Sequence, residues 1–472
     1  MNKQPALVLP KNKRIMASIG SIFLILTLQL SGQSLNTIQG PLLESMGGAQ
    51  YFSLAPLAAI LGMTILTPIG GKLGDIFGRR NIVLFSGIVI FICKIAISFT
   101  SSPVVHVFFR FMLGAASGCF ISVPFILARE INEESFVPKM MGFLASGMAI
   151  GGLLGGVIAG ALMDMGHIKL AILFPIITLV IGVTLITVSL PNQKSVNKAK
   201  VDVVGIITLA ISLTILVLAL NFGPKVGLNL KIILGIVIGI VFGVIFIKNE
   251  KKAENPIVPL HLLSNKSYVV LLAIGFIGYF YNTAMNVYAP KVVIDVMQQP
   301  KSVAGMLQLP RTIITMILPI FTGAWVAKKF TNHKISMLIA TGLTAIPMFV
   351  MAFAGSGKGV ILYMAMLGVT GIAESFRGVS VTTVAQTRLE AHELGIGTAL
   401  VNFVNTFASL AAASIFGIAY DIKTKADPLD PARILAGADL TYIIAGIVGV
   451  IGVLIVLFMT SDIFKKDTSN LK

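Results

Sequence analysis

A short link between two apolar runs reads Thr67-Pro68-Ile69-Gly70-Gly71-Lys72-Leu73-Gly74-Asp75-Ile76-Phe77-Gly78-Arg79-Arg80. Its glycines let neighbouring backbones approach closely and permit positive φ angles. Asp75 precedes Arg79 and Arg80, so its carboxylate can cap a helix end and form a local ion pair. The link is therefore predicted to be a tight turn between two helices. Its composition alone also fits an ordinary basic cytoplasmic loop of a membrane protein.

The composition indicates an integral membrane protein. Of the 472 residues, 56% are hydrophobic and only 12% are charged, and the mean hydropathy is +0.93. Such a chain has too little polar surface to cover a soluble core of this size. The formal net charge of +17 suggests an anionic partner such as nucleic acid. The placement of the basic residues attributes this charge to membrane topology, so no nucleic-acid partner is predicted.

Apolar runs of about twenty residues, the length needed to cross the hydrocarbon core, occur fourteen times. The predicted spans are 16–38, 51–70, 81–99, 103–128, 138–163, 168–190, 203–222, 230–248, 268–290, 303–326, 335–355, 359–386, 394–420 and 439–461. An even number places both termini on one side of the membrane. No cleavable signal peptide is expected, because Lys11, Lys13 and Arg14 precede an apolar run long enough to span the bilayer.

The lysines and arginines give the orientation. With a cytoplasmic N-terminus, 23 of the 36 basic residues fall on the cytoplasmic side, 9 on the outer side and 4 within spans. This excess agrees with the positive-inside rule. We therefore expect a multi-pass protein of the cell (plasma) membrane with both termini in the cytoplasm.

Two polar linkers, 191–202 and 249–267, bracket two spans that contain almost no polar side chains. These spans look like an insertion, because six spans then remain on each side. The predicted division is a six-helix half at 1–190, a linker with two inserted helices at 191–267, and a second six-helix half at 268–472. Weak self-similarity favours two related halves, since Met112-Leu113-Gly114 recurs as Met366-Leu367-Gly368.

Three motifs occur in a distinctive order. The link contains Gly71-x-Leu73-x-Asp75-x-x-Gly78-Arg79-Arg80, and the fourth span contains Arg110-x-x-x-Gly114-x-x-x-Gly118. The fifth span carries a glycine ladder, defined as Gly147, Gly151, Gly152, Gly155 and Gly156. Any one such pair of small residues also fits simple helix packing. Together the motifs resemble the signature motifs of the major facilitator superfamily, and the inserted helix pair makes the chain most similar to the fourteen-helix drug:proton antiporter branch.

This resemblance implies an all-α polytopic fold of two six-helix halves plus two inserted helices, with a substrate site near the midplane where the halves meet. It implies a secondary active transporter, not an enzyme, that exports small drug-like solutes against proton entry by alternating access. It also implies a monomer in a lipid bilayer, with no cofactor. Asp75 is expected to gate the cytoplasmic side by facing a helix N-terminus near span 13, with Arg79 as its partner. The glycine ladder is expected to give close contact between the halves.

Two positions depart from the branch pattern. Gly152 stands where the ladder usually has proline, so the rigid bend that proline implies is not assured. Gly32 lies near the place of a usual aspartate in the first span. Because this cation-attracting carboxylate is missing, an exporter of organic anions or amphipathic lipids, with or without proton coupling, is the alternative reading.

Polar stripes on the predicted helices mark a possible solute path. The candidate cavity residues are Gln29, Gln33 and Asn36 in span 1, Tyr279, Asn282 and Asn286 in span 9, Arg311 in span 10, and Asn402 and Asn405 in span 13. Amides of this kind can also hold helices together, at about 1 kcal/mol per hydrogen bond.

Ionisable residues inside the spans are few. Of nineteen acids, only Glu374 lies well inside a predicted span, and Arg377 shares its helix face at i+3. Arg110 and Arg311 lie about 10–12 Å below the outer ends of their helices, a depth at which function is the default interpretation. Glu374, Arg377 and Arg110 are therefore the candidates for proton coupling, and a static Glu374–Arg377 pair is the alternative. Lys94, near a helix end, is expected to snorkel.

Other classes of membrane protein find less support. Cys93 and Cys119 lie inside spans without metal or disulfide spacing, and the five histidines are scattered, so no metal site is predicted. No pore loop or charged ring that would indicate a channel is evident. A receptor or a lipid flippase on the same fold stays open at this stage.

Overall fold

Fourteen principal helices follow one another in the computed structural model, which describes residues 7–48, 51, 54–192, 202–226, 230–253, 256–258, 260–355, 359–390, 393–424, 426–427 and 430–458. They are α1 (Lys11–Ser45), α2 (Leu54–Phe77), α3 (Arg79–Phe99), α4 (Pro103–Glu130), α5 (Val137–Asp164), α6 (Ile168–Ser189), α7 (Val203–Val226), α8 (Leu230–Glu250), α9 (Lys266–Val296), α10 (Leu309–Val326), α11 (Asn332–Ala354), α12 (Gly359–Gln386), α13 (Leu394–Thr424) and α14 (Pro431–Phe458). The described residues contain no strand.

Each helix lies at one of the predicted spans, which confirms the all-α membrane fold. Thirteen are long and apolar enough to cross a membrane, and α7 is apolar over Val203–Ala219. The side of the membrane on which the termini lie stays a prediction. Residues 1–6 and 459–472 lie outside the described residues, as do nine of the basic residues used for the orientation, at positions 3, 194, 198, 200, 358, 425, 465, 466 and 472.

The turn after α2 is shorter than the sequence suggested. Helix α2 continues to Phe77, so Gly70, Gly71 and Gly74 are helical, and only Gly78 links α2 to α3. Gly78 has φ 86° and ψ 143°, a conformation that residues with a Cβ rarely adopt. Gly70 instead allows close approach, because a Cβ there would clash with the backbone of Cys119 in α4.

Proline interrupts α6, and two side chains contact the carbonyls at the break. The helix consists of Ile168–Leu173 and Pro175–Ser189. Pro175 has no N–H for the carbonyl of Ala171, which instead accepts a hydrogen bond from Ser34. Lys94 Nζ donates to the Ile172 carbonyl at 2.9 Å and is 0% exposed. The expectation that Lys94 snorkels was therefore wrong, because this carbonyl holds its ammonium group inside the protein.

The chain divides into two compact units. Unit 1 comprises Met1–Thr214, Val241–Leu260 and Leu389–Phe403, and unit 2 comprises Ile215–Ile240, His261–Arg388 and Val404–Lys472. Each has its own apolar core, centred on side chains such as Phe120 in unit 1 and Phe416 in unit 2. The division into halves at 1–190 and 268–472 stays a prediction.

Candidate functional site

The link residues form an ion-pair cluster in unit 1. Arg79 Nη2 lies 2.5 Å from Asp75 Oδ1 and 3.4 Å from Glu130 Oε1. Asp75 lies near the end of α2 and Arg79 begins α3, so the one-residue turn at Gly78 lets the two side chains meet. Glu130, at the end of α4, was not predicted. An acid at the end of a predicted span, next to a basic residue, is the signal that could have identified it.

The first turn of α13 packs against this cluster. A Cβ on Gly395 would clash with the Asp75 carboxylate and lie 2.7 Å from Arg79 Nη2. A Cβ on Gly71 would lie 2.9 Å from the Gly395 carbonyl oxygen. Because helix N-termini carry partial positive charge and unsatisfied N–H groups, the position suits the Asp75 carboxylate. Arg80 lies beside the cluster with its Nε buried and without a hydrogen-bond partner.

The glycine ladder of α5 packs against α1 within the same unit. A Cβ on Gly151 would lie 2.8 Å from the Leu26 carbonyl oxygen and 2.8 Å from Gln29 Cβ. A Cβ on Gly155 would lie 2.9 Å from the Leu30 carbonyl oxygen. Gly147 and Gly156 meet α1 at ordinary distances, at Ile22 and Thr37, whereas nothing lies within 4 Å of a Cβ on Gly152. The nearest neighbours of these glycines belong to α1, and the expected contact of the ladder with the other half stays a prediction.

Arg110 in α4 is neutralised by no carboxylate among the described residues. It is 2% exposed, and its Nη2 donates to Asn36 Oδ1 at 2.9 Å and to Gln39 Oε1 at 3.3 Å. Gln39 is buried and was not predicted, because it lies off the stripe of exposed amides. Gln33 and Asn36 are exposed, and Gln29 is half-buried against α5. Unit 1 thus presents a deep arginine beside an open polar face of α1.

In unit 2, several of the predicted site residues lie in direct contact with one another. Arg311 Nη2 in α10 lies 2.5 Å from Glu374 Oε2 in α12 and also donates to Asn282 Oδ1 in α9. Arg377 Nη2 lies 3.5 Å from Glu374 Oε1. The sequence identified Arg377 as the partner of Glu374, whereas the shorter ion pair comes from Arg311. Glu374 therefore joins the two arginines, and its side chain is 29% exposed.

Tyr279 contacts this set, and the remaining predicted amides of unit 2 have other surroundings. The Arg377 guanidinium carbon lies 4.2 Å from the centre of the Tyr279 ring, a cation–π distance. Asn286 accepts a hydrogen bond from Gln308 at 3.2 Å. Asn405 has a buried Oδ1 without a hydrogen-bond partner. Helix α9 continues beyond Asn282 as π-helix over Ala284–Tyr288 and Val292–Val296, a geometry frequent at functional sites that the sequence did not predict.

The predicted residues thus form three groups: the ion-pair cluster at the start of α3, the Arg110 group and the Glu374 group. The predicted stripe on α13 divides, since Asn402 belongs to unit 1 and donates to Ser122 Oγ at 3.2 Å, whereas Asn405 belongs to unit 2. In the part of the chain that the structure describes, no group of three or more His, Cys, Asp or Glu side chains could hold a metal ion.

Comparison with known proteins gives consistent matches. A family model described as Major Facilitator Superfamily matches residues 18–413. The chain is 24% identical over 434 residues to the multidrug transporter protein MdtP of Bacillus subtilis, covering 88% of this chain and 76% of the relative. It is 22% identical over 406 residues to multidrug resistance protein 3 of the same bacterium, covering 84% and 78%. Its fold is similar to the human organic anion transporter MFSD10 (TETRAN), with a TM-score of 0.64 at 13% identity over 95% of this chain and 100% of that one.

Proposed function

This chain belongs to the major facilitator superfamily, and on that premise we propose that it is a secondary active transporter of the cell membrane that exports small drug-like solutes in exchange for protons. The names of the two bacterial relatives support this choice of solute. The observation that carries the proton coupling is the 2.5 Å ion pair between Arg311 and Glu374. In this proposal the chain acts as a monomer with cytoplasmic termini, and α7 and α8 are inserted between two six-helix halves.

The coupling follows from the chemistry of the pair. An ionised Glu374 attracts Arg311 and Arg377, whereas a protonated Glu374 has lost the charge that attracts them. Proton binding therefore favours a different arrangement of α10 and α12, and such a differential interaction is what coupling requires. A cationic solute would compete with the proton for Glu374, so the two would move in opposite directions. A static ion pair that only holds α10 and α12 together would produce no such competition.

The gate in this proposal is the contact of Asp75 with the first turn of α13. Moving that turn away from α2 would remove the helix N-terminus from the Asp75 carboxylate, so the contact stabilises one state of the cycle. Asp75→Asn is expected to reduce ethidium efflux several-fold while expression and dye binding stay nearly unchanged. Glu133→Gln is the matched control, since Glu133 is 52% exposed and lies 3.7 Å from Arg14. Normal efflux by the Asp75 variant would contradict the gating role.

A second candidate function, export of organic anions or amphipathic lipids, rests on the excess of basic groups inside the spans. Arg110, Arg311 and Arg377 are all deep, whereas Glu374 is the one acid that contacts any of them at ion-pair distance in the described residues. An anionic solute that replaced Glu374 on Arg311 would leave that carboxylate without its close partner, so it would favour proton uptake. The solute and the proton would then leave the cell together, and the solute's own gradient would drive this export.

The direction of proton movement tests both candidates. Proteoliposomes with a trapped pH indicator would receive ethidium, a cation, or a fluorescein derivative, an anion, across an imposed pH gradient. The main proposal predicts that ethidium accumulation consumes the gradient, and that Glu374→Gln loses accumulation but retains downhill exchange. Asp295→Asn is the control, because it removes a 2.7 Å ion pair with Lys291 in the same unit. Gradient-driven accumulation by the Glu374 variant would exclude Glu374 as the proton carrier, and ethidium flux indifferent to the gradient would exclude proton coupling.

A further inference from the structure

The length of α14 places a second carboxyl group, in addition to that of Glu374, well inside a membrane-spanning helix. The helix begins at Pro431, eight residues before the predicted span, so Asp439 lies about 12 Å along it at 1.5 Å per residue. The helix is strongly apolar, with a mean hydropathy of 2.7 in its most apolar window. Its other charged residue, Arg433, lies 3.4 Å from Asp430 at the helix start. Asp439 is therefore an isolated acid within an apolar helix.

The surroundings of Asp439 contain polar groups but no cation that pairs with it. Its Oδ1 is buried and has no hydrogen-bond partner. Tyr363 in α12 and Tyr442 in α14 are 1% and 0% exposed. Their hydroxyl groups interact with each other, but neither makes a hydrogen bond of normal geometry. The two tyrosines pack edge to face with ring centres 6.4 Å apart, and the Asp439 carboxylate acts electrostatically on both.

The titratable and charged groups of the neighbouring elements are engaged elsewhere or distant. In α9, Lys291 pairs with Asp295 at 2.7 Å and also interacts with Tyr420 of α13, and the neighbouring Asp421 has interactions of its own. In α12, Glu374 and Arg377 pair with each other. In α11, His333 and Lys334 lie at the opposite end of the helix. None of these forms an ion pair with Asp439 in the described residues.

A proton on the Asp439 carboxyl group would satisfy these buried polar atoms. An ionised Asp439 would keep a buried oxygen without a donor, which costs more than leaving a neutral polar group unsatisfied. The protonated group carries an O–H that can donate to a tyrosine oxygen, while its carbonyl oxygen can accept from a tyrosine hydroxyl. One proton can thus satisfy buried atoms on α12 and α14 together.

We propose that Asp439 is a proton-binding site, with the hydroxyls of Tyr363 and Tyr442 as its hydrogen-bond partners. It differs from Glu374, which forms ion pairs with two arginines. Assignment of the Asp439 proton to the transport cycle rests on the proposed proton coupling, whereas the proton site itself does not.

The first test uses dicyclohexylcarbodiimide, an apolar reagent that adds to protonated carboxyl groups in membranes. The purified full-length protein in lipid would be treated over a series of pH values, and the modified residues would be identified by peptide mass spectrometry. Labelling of Asp439 at about pH 6 is expected to exceed that of Glu374 by about tenfold and to fall by a similar factor by about pH 9, as for a group that loses its proton in that range. Equal labelling of the two, or labelling of Glu374 alone, would overturn the proposal.

A second measurement does not depend on access of the reagent. The melting temperature of the native protein is expected to fall more steeply with rising pH than that of Asp439→Asn, because asparagine keeps a donor and an acceptor without a titratable group. Asp295→Asn, which alters an exposed ion pair, should follow the native curve. Parallel curves for the native protein and Asp439→Asn would refute the proton site. If the site is present but Asp439→Asn transports ethidium with an unchanged pH dependence, its role in the cycle is refuted and the proposed function through Glu374 is unaffected.

Discussion

The close packing of α5 on α1 makes neighbouring glycines of one helix differ in their tolerance of a methyl group. Gly155→Ala would place a Cβ 2.9 Å from the Leu30 carbonyl oxygen, 3.0 Å from Leu30 Cα and 3.1 Å from Gln33 Cβ. Gly152→Ala adds the same atom to the same helix three residues earlier, where nothing lies within 4 Å. The pair of variants therefore isolates interhelical contact from helix propensity.

The expected difference follows from these distances. Non-bonded carbon atoms prefer separations of about 3.5–4.0 Å, so Gly155→Ala must push α5 from α1 by roughly 0.5 Å. Overpacking of this kind costs about 1–3 kcal/mol. Gly152→Ala meets no such contact and is expected to gain up to about 1 kcal/mol in helix propensity. Because both variants gain the same helix propensity, they should differ by the overpacking cost of about 1–3 kcal/mol, or roughly 2–6 °C in melting temperature at about 2 °C per kcal/mol.

The assay is thermal inactivation of the detergent-solubilised protein, followed by size-exclusion chromatography of what remains monodisperse. Such a temperature ranks variants even where unfolding is irreversible. Gly151→Ala, with contacts at 2.8 Å, should melt with Gly155→Ala, and Gly152→Ala with the native protein or above it. Ethidium efflux should fall in the same order if the packing persists through the cycle. Equal melting temperatures for Gly152→Ala and Gly155→Ala would show that α1 and α5 are not in close contact.

Three further predictions use the same melting assay. Lys94→Met should be neutral within about 1 kcal/mol, because it removes a fully buried ammonium group that no acid among the described residues neutralises. Lys94→Arg should instead lose about 3 kcal/mol, and equal effects of the two changes would contradict this account of Lys94. Gly78→Ala should cost about 1–3 kcal/mol, because φ is 86°, and an unchanged melting temperature would mean that the turn relaxes easily. Glu250→Gln should stabilise the protein by about 1 kcal/mol, because Glu250 Oε1 is buried without a hydrogen-bond partner beside Asp202 and an amide can donate there; destabilisation would show that the native carboxyl is already protonated.

The membrane spans could be predicted because crossing the hydrocarbon core requires about twenty apolar residues. Where the helices end could not, because hydropathy marks the apolar core and not the helical turns beyond it. Helix α2 continues past the predicted boundary to Phe77, and α14 begins at Pro431, not at residue 439. Because the predicted span began at residue 439, Asp439 was placed at a helix end and was not recognised as a residue inside the helix.

Site residues close together in the sequence were easier to predict than those far apart. Asp75 and Arg79 were paired correctly because i,i+4 neighbours meet locally. By the same local rule Arg377 was chosen for Glu374, yet Arg311, 63 residues away in sequence, is closer. The packing of α10 on α12 brings Arg311 to Glu374, since a Cβ on Gly371 of α12 would lie 2.9 Å from the Arg311 carbonyl oxygen. Sequence spacing alone contains no information about such an interhelical contact.

The deep arginines of the two units are held by different kinds of oxygen atom. In the proposed mechanism this difference separates solute recognition from proton coupling. Arg110 is held by amide oxygens of Asn36 and Gln39, which do not titrate, so these contacts do not change with pH. Arg311 is held by a carboxylate as well as an amide, so its contacts depend on whether Glu374 carries a proton. A charge that is always present beside exposed amides suits the binding of a solute. A charge that is neutralised or released by one proton suits the coupling of that solute to a gradient, and we therefore infer that the pH dependence of transport originates in unit 2.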